Sequence, residues 1–304
     1  MPRPLGRGVL LWYNHFVKIF LKPFFALGIS LITGLLSCQQ PEQLNNDKIR
    51  ILTTIAPLYS FTKNIAGDAA LVDNLLPAGA GAHDYSFSPA DIKKIHKADV
   101  IIINGVQLES WLDKVISSSG SKSAIIDTSD GIIIRDNDPH IWLSPHNAII
   151  QVTKIMNSLS KIDTGNSSIY KSNGEDYIRK LEILDGKIKA EIDSWKRKEF
   201  IAFHSAFKYF ARDYGLKQAA VIEEFPGKSP SPSHIAGIID IIKSTDIKAI
   251  FTEPRSHHRI VDSIAKDMDL EILTLDTMET GELSSVFYKE AMMSNLEALG
   301  KALK

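Results

Sequence analysis

Short apolar runs rich in β-branched residues alternate with amphipathic segments from Ile49 to the end of the chain. Runs that are apolar almost throughout, such as 100–103, are typical of strands covered on both faces, as in parallel sheets. The alternation of such strands with amphipathic segments predicts an α/β fold. The predicted strands form two sets of four, which are 49–55, 71–75, 99–104 and 124–127, then 200–203, 219–223, 248–252 and 271–275.

A segment with a different period separates the two sets of strands. Its apolar residues recur mostly at intervals of three and four between charged residues, which predicts one long amphipathic helix. At about 1.5 Å per residue, a helix of this span is about 40 Å long, enough to traverse two stacked lobes. We therefore predict two lobes, each with a mostly parallel four-stranded sheet, joined by one rigid helix. The apolar residues of that helix are Tyr170, Tyr177, Leu181, Leu184, Ile188, Ile192 and Trp195.

The first 37 residues have the composition of an export signal. Four basic residues precede an apolar run over 23–37, and no acidic residue occurs before Glu42. The run is shorter than the roughly 20 residues that a bilayer span needs. The only cysteine, Cys38, ends this run in the sequence Leu-Leu-Ser-Cys, which resembles a bacterial lipobox. In a lipobox the cysteine becomes lipidated and N-terminal after cleavage, so we predict a membrane anchor at Cys38.

These features together predict the organisation of the chain. A composition of 44% hydrophobic and 23% charged residues in 304 suits a soluble globular protein, and a net charge of −1 argues against a nucleic-acid partner. Without another cysteine, a mature chain has no disulfide framework and no thiolate metal site. The predicted segments are a signal peptide over 1–37, a flexible tether over 38–48, an N-terminal lobe over 49–165, a linking helix over 166–198 and a C-terminal lobe over 199–304.

Four stretches carry side chains suited to metal chemistry. They are AHDYSFSP over 82–89, DPHIWLSP over 138–145, AFHSAFKY over 202–209, and the pair Leu275-Asp276. In this order, and with the long helix between the second and third, they resemble the cluster A-I solute-binding proteins of zinc and manganese ABC importers. The resemblance extends from Ile51 nearly to the end of the chain.

The resemblance implies one metal ion held in a cleft between two α/β lobes. Carried over position by position, the ligands are His83 and His140 from the N-terminal lobe, with His204 and Asp276 from the C-terminal lobe. It further implies a protein that is not an enzyme but binds a divalent transition metal outside the cytoplasm and delivers it to an ABC permease. We expect a monomer anchored to the membrane by its lipid.

The residue types favour zinc as the cargo over manganese. Three imidazoles and one carboxylate suit zinc, whereas manganese prefers a shell richer in oxygen. Manganese-type members of the family commonly have glutamate where this chain has His204. Against zinc, the stretch 117–138 lacks the histidine-rich loop of many zinc-type members, so manganese stays open.

Strand ends support the same site independently of the resemblance. His204 and Asp276 each come just after a predicted strand, and ligands of open α/β sheets collect at the carboxyl ends of strands. Glu253 also follows a strand, and we predict that it orients a ligating imidazole through the ring's second nitrogen.

Two other functions remain open from the sequence. Three histidines can also hold a catalytic zinc with an open position for water, as in a hydrolase, although the chain has no His-Glu-x-x-His motif. A surface adhesin is the other alternative, since lipidation alone does not distinguish it from a transport protein.

Overall fold

The computed structural model describes residues 48–304 except Asp84, 224–227 and 255–257. The predicted signal peptide, the lipidation site Cys38 and all of the tether before Lys48 lie outside the described residues. Within the described part of the chain, no helix combines the length and the apolar character that a membrane span requires.

Two sheets of four parallel strands organise the described residues, as the apolar runs predict. The first sheet has the strand order β2-β1-β3-β4 and the second has the equivalent order β6-β5-β7-β8. Every strand end lies within two residues of its predicted position. The strands are β1 Arg50–Thr53, β2 Leu71–Asn74, β3 Val100–Ile103, β4 Ala124–Asp127, β5 Glu199–His204, β6 Lys217–Glu223, β7 Ala249–Thr252 and β8 Glu271–Thr274.

Helices cover these sheets, and several begin at a Ser-Pro pair. At Ser88, Ser144 and Ser231 the side chain accepts a hydrogen bond from the first helical turn, and the following proline fits the first helical position. The helices are α1 Ala56–Ala66, α2 Pro89–Lys97, α3 Leu112–Ser119, α4 Pro145–Ile162, α5 Ser167–Asp193, α6 Lys208–Asp213, α7 Pro232–Ser244, α8 Arg259–Met268 and α9 Phe287–Leu303. Two 3-10 turns, Ile141–Leu143 and Thr164–Asn166, precede α4 and α5.

The long helix α5 links the two sheets, as its periodicity predicts, but it ends at Asp193, two residues before Trp195 and five residues before the predicted limit of 198. It has 27 residues and is therefore about 40 Å long. Its apolar face, including Tyr177, Leu184 and Ile192, is buried in a core that also contains residues from both lobes. A second, smaller core lies within the C-terminal lobe. The lobes thus share one hydrophobic core, and the limits predicted for them, 49–165 and 199–304, stay predictions.

Direct contacts between α1 and α9 also join the lobes. The rings of Phe61 and Tyr288 meet edge to face with centroids 4.7 Å apart. Ser60 Oγ and Asn64 Nδ2 both donate to the carbonyl of Ser285, at 2.9 and 2.7 Å. The C-terminal helix therefore packs on the first helix of the N-terminal lobe, which restrains movement between them.

Candidate metal centre

Loops at the carboxyl ends of strands bring three histidines and one glutamate together. His83 lies between β2 and α2, and His140 lies between β4 and the 3-10 turn Ile141–Leu143. His204 is the last residue of β5, and Glu279 lies between β8 and α9. Each lobe thus contributes two side chains to one cluster. These four are the group in the described part of the chain whose ligand atoms all lie within 4.8 Å of one another.

The donor atoms of the cluster lie at or somewhat beyond the spacing of a tetrahedral shell, all within 4.8 Å of one another. His140 Nε2 lies 3.3 Å from His83 Nε2, 3.2 Å from His204 Nε2 and 3.2 Å from Glu279 Oε1. Glu279 Oε1 lies 3.6 Å from His83 Nε2 and 4.0 Å from His204 Nε2. A tetrahedral zinc ion with bonds of about 2.0–2.1 Å holds its donors about 3.3–3.4 Å apart. Small side-chain movements therefore suffice to close a four-donor shell.

The carboxylate in this cluster belongs to Glu279, whereas the sequence predicts Asp276. The Oδ1 atom of Asp276 accepts a hydrogen bond from the backbone N–H of Met278, at 2.7 Å. Its backbone N–H and C=O both pair with the side chain of Asn295. Met278 has φ of +61°, a left-handed conformation that turns the chain between the two acidic residues. Asp276 therefore shapes the loop, and Glu279 is the residue that faces the imidazoles.

A second carboxylate, which the sequence analysis missed, fixes the ring of His140. Asp138 Oδ1 accepts hydrogen bonds from His140 Nδ1 at 2.6 Å and from the His140 backbone N–H at 3.0 Å. Both side chains are buried. This contact leaves Nε2 facing the cluster, which is the arrangement of a carboxylate behind a metal-binding imidazole. In the sequence, the motif Asp-Pro-His has an acidic residue two positions before a histidine, and this spacing could have identified Asp138 as the partner of His140.

Backbone contacts hold the other loops. The indole N–H of Trp111 donates to the carbonyl of Ala82, directly before His83, at 3.0 Å. The side chain of Asn104 donates to the carbonyl of Pro139, directly before His140, at 2.9 Å. Gln218 Nε2 donates to the carbonyl of His204 itself, at 2.9 Å. Each imidazole is therefore positioned by a neighbour outside the cluster.

The pKa shifts of the cluster favour binding of a cation. Burial opposes charge on His140, but hydrogen bonds with Asp138 and Glu279 outweigh it and raise the pKa of His140 to about 9. Burial and repulsion from His140 lower the pKa of His204 to about 4. Burial disfavours the Glu279 carboxylate, yet its contacts with His140 and His83 hold its pKa well below the usual range. These shifts favour an anionic Glu279 and a neutral His204 beside His140.

Glu253 lies directly after β7, as the sequence predicts, but no hydrogen bond between described residues joins it to an imidazole. Burial and the nearby carboxylates of Glu279 and Asp276 raise its pKa to about 7. The position expected for it behind an imidazole belongs, for His140, to Asp138. Its predicted orienting role stays a prediction.

A cavity of about 340 Å³ leads to the cluster. The three imidazoles line it together with polar side chains from both lobes, including Gln107, Asn137 and Ser205. Lys208 Nζ of the C-terminal lobe lies 3.7 Å from Asp136 Oδ2 of the N-terminal lobe, so this ion pair crosses the cleft at the cavity. The side chain of His83 is 26% exposed, which leaves one edge of the cluster open to solvent.

Comparisons with known proteins agree with this geometry. The sequence model of the family described as "ZnuA: Zinc-uptake complex component A periplasmic" matches residues 51–302. The chain is 31% identical over 281 residues to the "High-affinity zinc uptake system protein ZnuA" of Bacillus subtilis, covering 84% of this chain and 88% of that protein. It is 30% identical over 290 residues to the "Zinc-binding lipoprotein AdcA" of Streptococcus pneumoniae, covering 89% of this chain and 58% of that protein.

A solved structure gives the same result for the fold. The solute-binding protein FpvC of Pseudomonas aeruginosa, in complex with Ni²⁺, superposes with a TM-score of 0.77 and 32% identity, covering 84% of this chain and 97% of that one. The two-lobed fold is therefore shared with a solute-binding protein whose solved structure contains a metal ion. The chain belongs to the ZnuA family of periplasmic zinc-uptake components, within the cluster A-I solute-binding proteins.

Proposed function

We propose that this protein binds one divalent transition metal ion outside the cytoplasm, with zinc preferred, and delivers it to the permease of an ABC importer. The observation that carries the proposal is the convergence of four donor atoms from two lobes, all within 4.8 Å of one another. Membership in the zinc-uptake family supports both the cargo and the permease partner. The cavity beside the cluster gives the ion a route from solvent.

The proposed ligands are the Nε2 atoms of His83, His140 and His204 and the carboxylate of Glu279. With one anionic donor, the site and a divalent ion together carry a charge of +1. Asp276 is the alternative fourth donor that the sequence predicts. The hydrogen bond of its Oδ1 atom to Met278 favours a role in the loop instead.

Zinc is the proposed cargo because nitrogen donors outnumber oxygen donors. Imidazole suits zinc, whereas a shell dominated by carboxylates suits manganese. The curated relatives named above are described as zinc-uptake or zinc-binding proteins, which supports the same choice. Manganese is the competing cargo that a titration has to exclude.

Membrane attachment through a lipid on Cys38 is part of the proposal. Its support is the Leu-Leu-Ser-Cys sequence after an apolar run. One of the relatives is also named a lipoprotein. Mass spectrometry of protein extracted from membranes tests the anchor, and mutation of Cys38 to Ala should release the chain. We also propose that the protein acts as a monomer.

Transport is favoured over zinc-dependent hydrolysis by the fourth donor. A catalytic zinc ion generally has three protein ligands and keeps one position for water. In the proposed site Glu279, at 3.2 Å from His140 Nε2, fills that position. No feature of the described residues supports the adhesin alternative.

Anaerobic purification followed by elemental analysis tests the proposed function. One equivalent of zinc should copurify, and competitive titration should give a far higher affinity for zinc than for manganese. His140→Ala should abolish tight binding, because it removes the donor whose Nε2 lies within 3.3 Å of each of the other three. A wild-type protein that binds no metal, or that binds manganese more tightly, contradicts the proposal.

A further inference from the structure

The hydroxyl of Tyr209 reaches from one lobe into a turn of the other. Tyr209 is the second residue of α6 in the C-terminal lobe, and its side chain is buried. Its hydroxyl accepts a hydrogen bond from the backbone N–H of Arg135 at 3.2 Å and donates one to the carbonyl of Asp138 at 3.0 Å. Both partners lie in the loop of the N-terminal lobe that precedes His140.

That loop is a tight turn whose outer backbone groups bind this hydroxyl. The Asp138 N–H donates to the carbonyl of Arg135 at 2.9 Å, and the two residues between them, Asp136 and Asn137, have φ of +52° and +53°. Two left-handed central residues are the mark of a type I′ turn. In a hairpin the outer N–H and C=O groups of such a turn pair with each other. Here the Tyr209 hydroxyl lies between them and satisfies both.

This turn also affects the position of His140, one of the proposed metal donors. Asp138, its last residue, holds His140 through the ring nitrogen Nδ1 and through the backbone N–H. Hydrogen bonds therefore connect α6, through Tyr209 and Asp138, to the ring of His140 at Nδ1. The imidazole of His204, whose Nε2 lies 3.2 Å from His140 Nε2, belongs to a residue only five positions before Tyr209. Tyr209 thus connects the part of the C-terminal lobe that carries His204 to the loop that carries His140.

We infer that Tyr209 is a positioning residue for metal binding, whose hydroxyl sets His140 relative to the donors of the C-terminal lobe. This inference rests on the proposed function and adds a residue that does not touch the ion. Loss of the hydroxyl leaves the Arg135 N–H and the Asp138 carbonyl without their partner, so the turn can shift. His140 then meets the ion in a less favourable geometry.

Tyr209→Phe tests the inference because it removes only the hydroxyl. Tyr214→Phe is the matched control, since Tyr214 is also buried, lies at the end of the same helix and donates to Asp185 of α5 at 2.6 Å, away from the cluster. For each purified full-length variant we would measure the zinc dissociation constant, the absorption spectrum of bound Co²⁺ and the melting temperature of the metal-free protein. The Co²⁺ spectrum reports the geometry of the ligands, which a general loss of stability does not change.

Tyr209→Phe should weaken zinc binding about tenfold, which is at the lower end of the loss expected when a hydrogen-bond partner behind a metal ligand is removed. It should also alter the Co²⁺ spectrum. Tyr214→Phe should lower the melting temperature and leave both metal readouts as in wild type. In an Asp138→Asn background, Tyr209→Phe should add little, because both changes act on His140 through Asp138.

Wild-type affinity and spectrum in Tyr209→Phe overturn the inference, as do equal losses of affinity in the two tyrosine variants. A Tyr209→Phe protein that does not fold without metal also overturns it, because the hydroxyl then supports the fold rather than the site. Failure of the wild-type protein to bind zinc is a separate result, which contradicts the proposed function itself.

Discussion

Two acidic residues in one loop, Asp276 and Glu279, have different surroundings, and a pair of variants separates their roles. Glu279→Gln removes an anionic donor next to three imidazoles and should weaken zinc binding by more than about 100-fold, the upper limit for losing an outer-shell partner. Asp276→Asn keeps an oxygen that can accept from the Met278 N–H, so its affinity should stay near that of wild type. Calorimetric or chelator-competition titrations give both values. The reverse ranking makes Asp276 the ligand.

Protons and metal compete for His140, which predicts how affinity depends on pH. In the metal-free protein the pKa of His140 is raised to about 9, so metal binding near neutral pH has to displace its Nε2 proton. His204, with a pKa lowered to about 4, is already neutral there. The apparent affinity should therefore rise about tenfold per pH unit between pH 6 and 8, which is the effect of one released proton. Competition titrations across this range measure the slope, and an affinity independent of pH contradicts the assignment.

At the residue scale the sequence predicts the imidazoles better than the carboxylates. The three histidines stand in motifs with a fixed order along the chain, and the structure brings all three together. Which acidic residue faces the three imidazoles depends on the direction of the chain after β8. That direction is set by the left-handed backbone conformation of Met278. A glycine at this position would have indicated such a turn, but the sequence has none there. The sequence did not single out Asp138, because its role depends on its contact with the ring of His140.

At the scale of elements, two glycines of α5 offer a test of how the linking helix packs. A methyl group at Gly174 would lie 2.6 Å from Met156 Sδ and 3.1 Å from Met156 Cβ in α4, whereas one at Gly186 would meet nothing within 4 Å. Gly174→Ala should therefore destabilise the protein by about 1–3 kcal/mol through overpacking. Gly186→Ala should stabilise it by about 0.5–1 kcal/mol, because alanine is the better helix former.

Chemical denaturation of the two glycine variants measures both effects. The same substitution in the same helix should thus change the free energy of unfolding in opposite directions. If Gly174→Ala is as stabilising as Gly186→Ala, the close contact between α4 and α5 does not exist in solution.

The elements themselves were predictable because their signals are local. Strands such as β3 are continuous apolar runs buried on both faces, and α5 repeats its apolar residues over several turns. The ends of the strands and helices were predicted less closely, since they depend on hydrogen bonds to residues distant in the sequence. The edge strand β6, for example, begins two residues before its apolar run, at Lys217, because the Lys217 N–H donates to the carbonyl of Lys198 at 2.8 Å.

At the scale of the whole molecule, the shared core limits how far the lobes can move. Residues of both lobes and of α5 belong to one buried cluster, and α1 contacts α9 through aromatic rings and the loop before α9 through hydrogen bonds. Wide hinge opening would expose this core. We therefore expect metal binding to rearrange the ligand loops or tilt the lobes slightly.

Small-angle scattering with and without zinc tests this expectation. The radius of gyration should be the same within error in the two states, and His140→Ala with zinc present serves as the control without tight binding. A clear decrease in the radius on zinc binding shows hinge closure and contradicts the rigid two-lobe description.

The central claim is that two lobes each give a pair of donors to a single ion, and diffraction at the zinc absorption edge tests it most directly. A crystal of the zinc-loaded protein should show one anomalous peak between the lobes, within about 2.0–2.2 Å of His83, His140, His204 and Glu279. A peak held by residues of only one lobe, or no peak at this cluster, contradicts the claim.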